Sequence, residues 1–184
     1  MSDTSPQKRG PWQLVSSAIK YKNPWITVRE DQVLRPDGKP GIFGVVSMLP
    51  GVSVLPVDEE DNVYLVKEYK YGTEKETIEV ISGGIESGDN ILQTVAKELR
   101  EETGLEATEI IELGSIDPFT TVVNSPNHLF LACGLKQGTA EPEGTELLEV
   151  LKVPFAQALQ WVEDSAITHG ASVAVILKAA KYIN

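Results

Sequence analysis

Glu98, Glu101 and Glu102 are the residues of this chain best suited to chemistry, because they fall close together at the end of GGIESGDNILQTVAKELREETGL (83–105). This segment reads as a glycine turn followed by a helix. Side chains spaced three and four apart share one helix face, about 100° wide. Ile91, Leu92, Val95, Ala96 and Leu99 form an adjacent apolar stripe that must face a core. Asp89 stands at the helix start, where negative charge is favoured, and Gly104 supplies the C-terminal stop. The glutamates stand at the unfavourable end. They oppose the helix macrodipole and repel one another. A bound cation removes both penalties, and clustered hard oxygen donors suit Mg²⁺. A solvated acidic face is the other reading that the residues alone allow.

Whatever the glutamates do, the rest of the chain must hold their helix in place. QLVSSAIKY (13–21), WITVREDQV (25–33) and IFGVVSML (42–49) read as three antiparallel strands, separated by the turn signals KNP and RPDGKPG. GVSVLPVDEEDNVYLVKEY (51–69) reads as a hairpin turning at 58–62, and TIEVIS (77–82) leads directly into the glycine turn. Two more strands, EIIELGSI and HLFLACGL, flank the loop DPFTTVVNSPN, and LLEVLKVP follows the acidic loop TAEPEGTE. The end is helical: PFAQALQWVED begins with Pro154 near the first helical position, and ASVAVILKAAKYI places Val173, Ile176, Leu177 and Ala180 on one face. Mixed strands with helices on both sides indicate an α+β fold, a sheet sandwiched between helices. Residues 1–10 read as a disordered tail, 11–48 as an N-terminal strand region and 49–184 as the domain carrying the glutamates.

At 184 residues, with 41% hydrophobic and 23% charged residues, the chain can bury a substantial core. A net charge of −11 argues against nucleic acid or an anionic membrane as partner, since both call for a basic surface. Cys133 is the only cysteine and lies in an apolar run, so an intrachain disulfide is excluded and a buried strand position is expected. No apolar run approaches membrane-spanning length and the first residues show no signal-peptide pattern, which gives a cytoplasmic location as the default.

The 83–105 segment resembles the Nudix box, G-x5-E-x7-R-E-U-x-E-E-x-G-U, where U is aliphatic. Gly83, Glu98, Leu99, Glu101, Glu102, Gly104 and Leu105 fall in register, while Asp89 replaces Glu and Lys97 replaces Arg. The charge signs survive, but lysine lacks the bidentate fork of arginine. Resemblance to the ADP-ribose pyrophosphatase and nucleoside diphosphate sugar hydrolase branch extends beyond the box. It includes the turn Pro36-Asp37-Gly38, the strand LVKEYK, the run EVISGG containing Glu79, Pro118 beyond the box, and the closing GASVAVILKA. Departures occur where Phe119 replaces the glycine after that proline and where Glu68 and Lys70 replace Gln and Arg.

This resemblance implies the Nudix fold and hydrolysis of the diphosphate of ADP-ribose, giving AMP and ribose 5-phosphate. Gly83, Glu98, Glu101 and Glu102 would hold Mg²⁺, with Mn²⁺ as a substitute, while Asp89 and Lys97 brace their helix. Glu101, Glu102 and the loop residue Glu146 are the expected catalytic groups, and Trp25, Phe43, Lys70 and Glu79 the substrate-binding ones. The N-terminal strands would mediate a homodimer, with Trp25 or Phe43 stacking on the base. Two alternatives stay open at this stage: a broader hydrolase preferring GDP-mannose or UDP-sugars, and a module that senses nucleotides without cutting them. His128 and His169 have no neighbouring nucleophile or ligand cluster and read as structural or surface residues, and Ser125-Pro126 reads as a loop turn.

Overall fold

The computed structural model describes residues 7–139 and 147–183. In chain order its elements are β1 (Gln7–Arg9), β2 (Trp12–Lys22), β3 (Ile26–Leu34), β4 (Pro40–Met48), β5 (Gly51–Pro56), β6 (Asn62–Lys70), β7 (Lys75–Glu79), β8 (Ile81–Gly84), α1 (Ile91–Thr103), β9 (Leu105–Ile116), β10 (Val123–Asn124), β11 (Asn127–Gln137), β12 (Leu148–Pro154), α2 (Phe155–Glu163) and α3 (Gly170–Ala179). They group into two units, one of residues up to Leu49 together with Phe119–Ser125, the other of Pro50–Pro118 together with the residues from Pro126 onward. Part of the loop after β9 thus groups with the N-terminal strands. Among the described residues, no helix is long and apolar enough to cross a membrane.

The N-terminal unit is a five-stranded sheet, ordered β1-β2-β3-β4-β10, antiparallel except for β10 against β4. Gln7–Arg9 pair with Leu14, Gln13 and Trp12, so residues 7–9 of the expected tail are strand instead. The turns form as their residues dictate. The Asn23 carboxamide oxygen accepts from the Trp25 and Ile26 amides at 2.9 and 2.7 Å, and Gly38 takes the left-handed conformation. Ser125 Oγ donates to the Leu49 carbonyl at 2.9 Å, which makes it a loop-fixing serine, as its sequence context suggested.

In the second unit, a four-stranded sheet (β8-β5-β11-β9) lies between helices. Alternate residues of its central strands feed two apolar clusters: Leu129 and Leu131 join one with Phe155, Val175 and Ile176, while Phe130 and Ala132 join the other with Val95 and Leu99. This two-sided alternation is the helix–sheet–helix layering of an α+β fold. A second sheet, β12-β6-β7, completes the unit.

Two expectations need correction. The 51–69 stretch is not a regular hairpin: the turn forms, with Asp58 N–H donating to the Asn62 carbonyl, but β5 and β6 share only the bridge Val57–Val63 and then enter different sheets. β5 is buried on both faces in its own sheet, whereas β6 buries Val63, Leu65 and Val66 and leaves Tyr69 exposed. The buried face of α3 is Ala171, Ser172, Val175, Ile176 and Ala179, and Leu177 is 53% exposed. A helix apolar on nearly every side offers no period from which to choose a face.

Candidate active site

Helix α1 is capped by Asn90, whose side chain accepts from the Leu92 amide at 2.9 Å. Asp89, expected at the helix start, is exposed in the turn before the cap. At the other end Gly104 takes φ 70°, and its amide donates to the Arg100 carbonyl. Val95 and Leu99 are fully or almost fully buried, worth about 1.5–3 kcal/mol each. Leu92, placed on the apolar stripe by its spacing, is 54% exposed.

This anchoring fixes where the glutamates stand. Glu102 is buried, whereas Glu98 and Glu101 are half-buried. Glu98 lies directly against Gly83: a Cβ at residue 83 would sit 2.0 Å from the Glu98 carboxyl carbon. Only glycine leaves room for that carboxylate beside β8. Lys97 Nζ stands 3.6 Å from Glu101 Oε2, one turn along the helix.

Beside α1, the end of β6 and the β7–β8 junction carry a second polar group. Lys70 Nζ donates to Glu68 Oε2 and lies 3.9 Å from Glu79 Oε2. Half-burial alone would lower the Lys70 pKa, but the hydrogen bond to Glu68 and the charges of Glu79, Glu68 and Glu102 outweigh it and raise it. Three carboxylates therefore act on one ammonium, and the surroundings are short of positive charge. Glu79 is buried. Thr77 Oγ1 donates to its Oε1 at 2.7 Å, and His169 Nδ1 lies 3.3 Å from its Oε2. His169 also lies 2.8 Å from Ser172 Oγ, which accepts from the Val80 amide at 3.0 Å. Burial pushes the His169 pKa down and so does Lys70, against the opposing pull of Glu79.

Among the described residues, no group of three or more His, Cys, Asp or Glu side chains is gathered closely enough to cage a metal ion. The donor set nevertheless fits a hard divalent cation. Its donors are carboxylate oxygens on one helix, one of them cradled by a glycine, in a region with excess negative charge.

In the N-terminal unit, Phe43 meets the edge of Trp12 with ring centroids 5.7 Å apart. The two line a cavity of about 220 Å³ with Arg9, Arg29, Asp31, Val33 and Val45. Asp31 is buried and holds both arginines, at 3.3 Å for Arg9 and 3.1 Å for Arg29. Burial pushes its carboxyl up, but hydrogen bonds from Ser17 and Arg29 and the charges of Arg29 and Arg9 hold it below the ordinary value of 3.8. Trp25 is 70% exposed and stands just before β3, where Ile26 faces Met48, while Phe43 faces Asp31. The structure therefore does not bring Trp25 and Phe43 together within one chain: five residues of strand span about 16 Å. Glu146, with Glu141 and Glu143, lies outside the described residues.

Sequence reasoning missed Trp12, Arg9 and Asp31 in this cavity, and it missed His169, Thr77 and Ser172 around Glu79. The spacing within β2 and β3 could have placed Trp12 and Asp31 on strands. No local pattern could have tied His169 to Glu79.

The architecture and the glutamate helix define a class, an α+β domain built around a glycine-cradled carboxylate helix. Residues 48–171 match the NUDIX domain, and the chain belongs to the Nudix family. Residues 12–46 match the nucleoside diphosphate sugar hydrolase N-terminal domain. The chain is 26% identical over 153 residues to a methanol dehydrogenase activator of Bacillus methanolicus, covering 82% of this chain and 83% of that one. It is 28% identical over 139 residues to an ADP-ribose pyrophosphatase of Bacillus subtilis, covering 74% and 75%. A crystal structure of an ADP compounds hydrolase shares the fold, with a TM-score of 0.79 at 20% identity over 92% of each chain.

Proposed function

We propose that this protein hydrolyses the diphosphate bond of a nucleoside diphosphate sugar, with ADP-ribose the first substrate to try and a divalent cation, Mg²⁺ or in its place Mn²⁺, as cofactor. The observation that carries the reading is the Glu98 carboxylate packed against Gly83 on the same helix as Glu101 and Glu102. The match of residues 12–46 to a nucleoside diphosphate sugar hydrolase module supports the substrate class. The relative named for ADP-ribose supports the choice within it.

In this reading the Gly83 carbonyl, Glu98, Glu101 and Glu102 hold the cation, with Lys97 steadying Glu101 and Asp89 at the entry to the helix. When bound, such a cation neutralises the diphosphate and acidifies a water. Lys70 donates to a phosphate oxygen from the β6 side, and Glu79 keeps it charged from behind. Water adds to one phosphorus as the bridging P–O bond breaks, so ADP-ribose gives AMP and ribose 5-phosphate. Glu146 stays the proposed base, with Glu101 and Glu102 as the other catalytic carboxylates. The aromatic cavity around Phe43 suits a base, since every base offers a π-face; Trp25 would reach a base only from a partner chain.

A panel of nucleotide sugars assayed with Mg²⁺ tests the substrate. The expected result is the highest kcat/KM for ADP-ribose. A preference for GDP-mannose or UDP-sugars would replace it with the broader activity that the N-terminal match also supports.

A two-fold homodimer belongs to the same proposal. Val15, Ile19, Tyr21 and Ile42 of the N-terminal sheet are each more than half exposed, a large apolar surface for one small unit. Light scattering at micromolar concentration is expected to give twice the chain mass. A fully active monomer would remove the dimer.

A further inference from the structure

Val80 is where the chain passes from one sheet to the other. β7 ends at Glu79 in the sheet β12-β6-β7, and β8 begins at Ile81 in the sheet β8-β5-β11-β9. Val80 belongs to neither ladder, yet it is fully buried, so its backbone groups need partners from elsewhere. Side chains supply them. The Val80 amide donates at 3.0 Å to Ser172 Oγ of α3, 92 residues along the chain. The Val80 carbonyl accepts from Ser82 Oγ at 3.1 Å.

The protons of these hydroxyls have fixed directions, because each has one hydrogen to give. Ser82 gives its own to Val80, so in the Ser53–Ser82 contact of 2.9 Å the Ser53 hydroxyl donates. Ser172 Oγ takes the Val80 N–H, and its hydrogen goes to His169 Nδ1 at 2.8 Å. That nitrogen is then an acceptor and the ring is neutral. Burial and Lys70 favour this by pushing the His169 pKa down, against the pull of Glu79. Ser53 and Ser172 are fully buried. One run of hydrogen bonds thus passes from β5, through both backbone groups of Val80, to α3.

The crossing stands between the two halves of the candidate site. One residue before Val80, Glu79 lies 3.9 Å from Lys70. Three residues after it, Gly83 cradles the Glu98 carboxylate. The path of the chain at Val80 therefore sets how the Lys70 group faces the glutamate helix. We propose that Ser172 is a positioning residue: by holding the Val80 amide it fixes the β7–β8 crossing and aligns Lys70 and Glu79 with Glu98. This rests on the reading that the two groups act on one diphosphate. Ser172 touches neither the substrate nor the reacting atoms. Its loss appears in kcat, since a misplacement of about 1 Å can cost about 10²-fold in rate.

Steady-state kinetics on ADP-ribose, calorimetric titration with Mg²⁺ and thermal melts test it, using Ser172→Ala, Ser172→Thr, Ser82→Ala and Val175→Ala. Ser172→Ala leaves a buried N–H without an acceptor. It is expected to lower kcat about 10-fold or more well below its melting temperature, with Mg²⁺ affinity within about two-fold of wild type. Ser172→Thr keeps the hydroxyl and is expected to hold kcat within about three-fold of wild type. Val175→Ala removes packing from the same helix and no hydrogen bond, so it lowers the melting temperature and leaves kcat unchanged. Ser82→Ala frees the Val80 carbonyl and is expected to lower kcat as well, which reads the same crossing if Ser172→Ala does not fold. Wild-type kcat in Ser82→Ala and in Ser172→Ala, with only the melting temperature lowered, would make both serines structural and overturn the proposal. A fall in Mg²⁺ affinity that accounts for the lost kcat would overturn it too, by placing the effect in the cation site. If the wild-type protein hydrolyses no nucleotide sugar, the hydrolase reading itself fails, and the positioning role with it.

Discussion

Gly83→Ala is expected to lower kcat by about 10²-fold or more while the protein folds normally, the scale of losing one preorganised electrostatic contributor. The reason is steric and local. An added Cβ would lie 2.0 Å from the Glu98 carboxyl carbon and 2.1 and 2.6 Å from its oxygens, closer than any real contact. What it meets is the far end of a flexible side chain, so the glutamate can rotate away at small cost. Gly83 does not take a left-handed conformation and pairs with Val52 in the sheet, so alanine suits its backbone. The damage is therefore confined to where Glu98 points. Turnover of ADP-ribose at saturating Mg²⁺ and a thermal melt check this together. An active Gly83→Ala variant would mean that Glu98 does not need its observed place, and a variant that fails to fold would mean that the contact serves packing.

Glu102→Gln and Glu101→Gln are expected to cost a similar or larger factor in kcat, again about 10²-fold or more, with stability unchanged or slightly raised. Magnitudes separate the two effects. The Lys97–Glu101 pair is a half-exposed helix pair worth about 0.3–0.5 kcal/mol, so losing it barely touches folding. Removing one of several like charges near a helix C-terminus returns about as much. Glu102 is buried, and glutamine matches its shape, so no cavity opens. Only the electrostatics that would hold a cation are lost. Near-wild-type turnover of both variants at saturating Mg²⁺ would overturn the metal assignment.

Legibility from sequence followed the range of the interactions. Helix α1 was readable because its apolar period, its cap region and Gly104 are all local, and only glycine suits φ 70° at low cost. The choice between adjacent Asp89 and Asn90 as cap was not, since both residue types cap well. Alternation revealed the N-terminal strands. It could not show that β5 and β6 part after a well-formed turn, because burial of β5 on both faces removes the pattern that assigns a strand to a sheet. The exposure of Leu177 escaped for a related reason: α3 is apolar nearly all round. Within the candidate site, the motif residues are near neighbours in sequence and could be named directly. His169, Ser172 and Trp12 meet Glu79, Val80 and Phe43 across tens of residues, where a single sequence carries no signal.

The most direct test of a cation-dependent diphosphate hydrolase is a product analysis with ADP-ribose. The protein is first stripped with a chelator and then titrated with Mg²⁺, and AMP and ribose 5-phosphate are quantified by chromatography. No product in chelator, with both products appearing in equal amounts as Mg²⁺ is restored, is the predicted result. Unchanged turnover in chelator, or intact ADP-ribose and every other nucleotide sugar at saturating Mg²⁺, would contradict it.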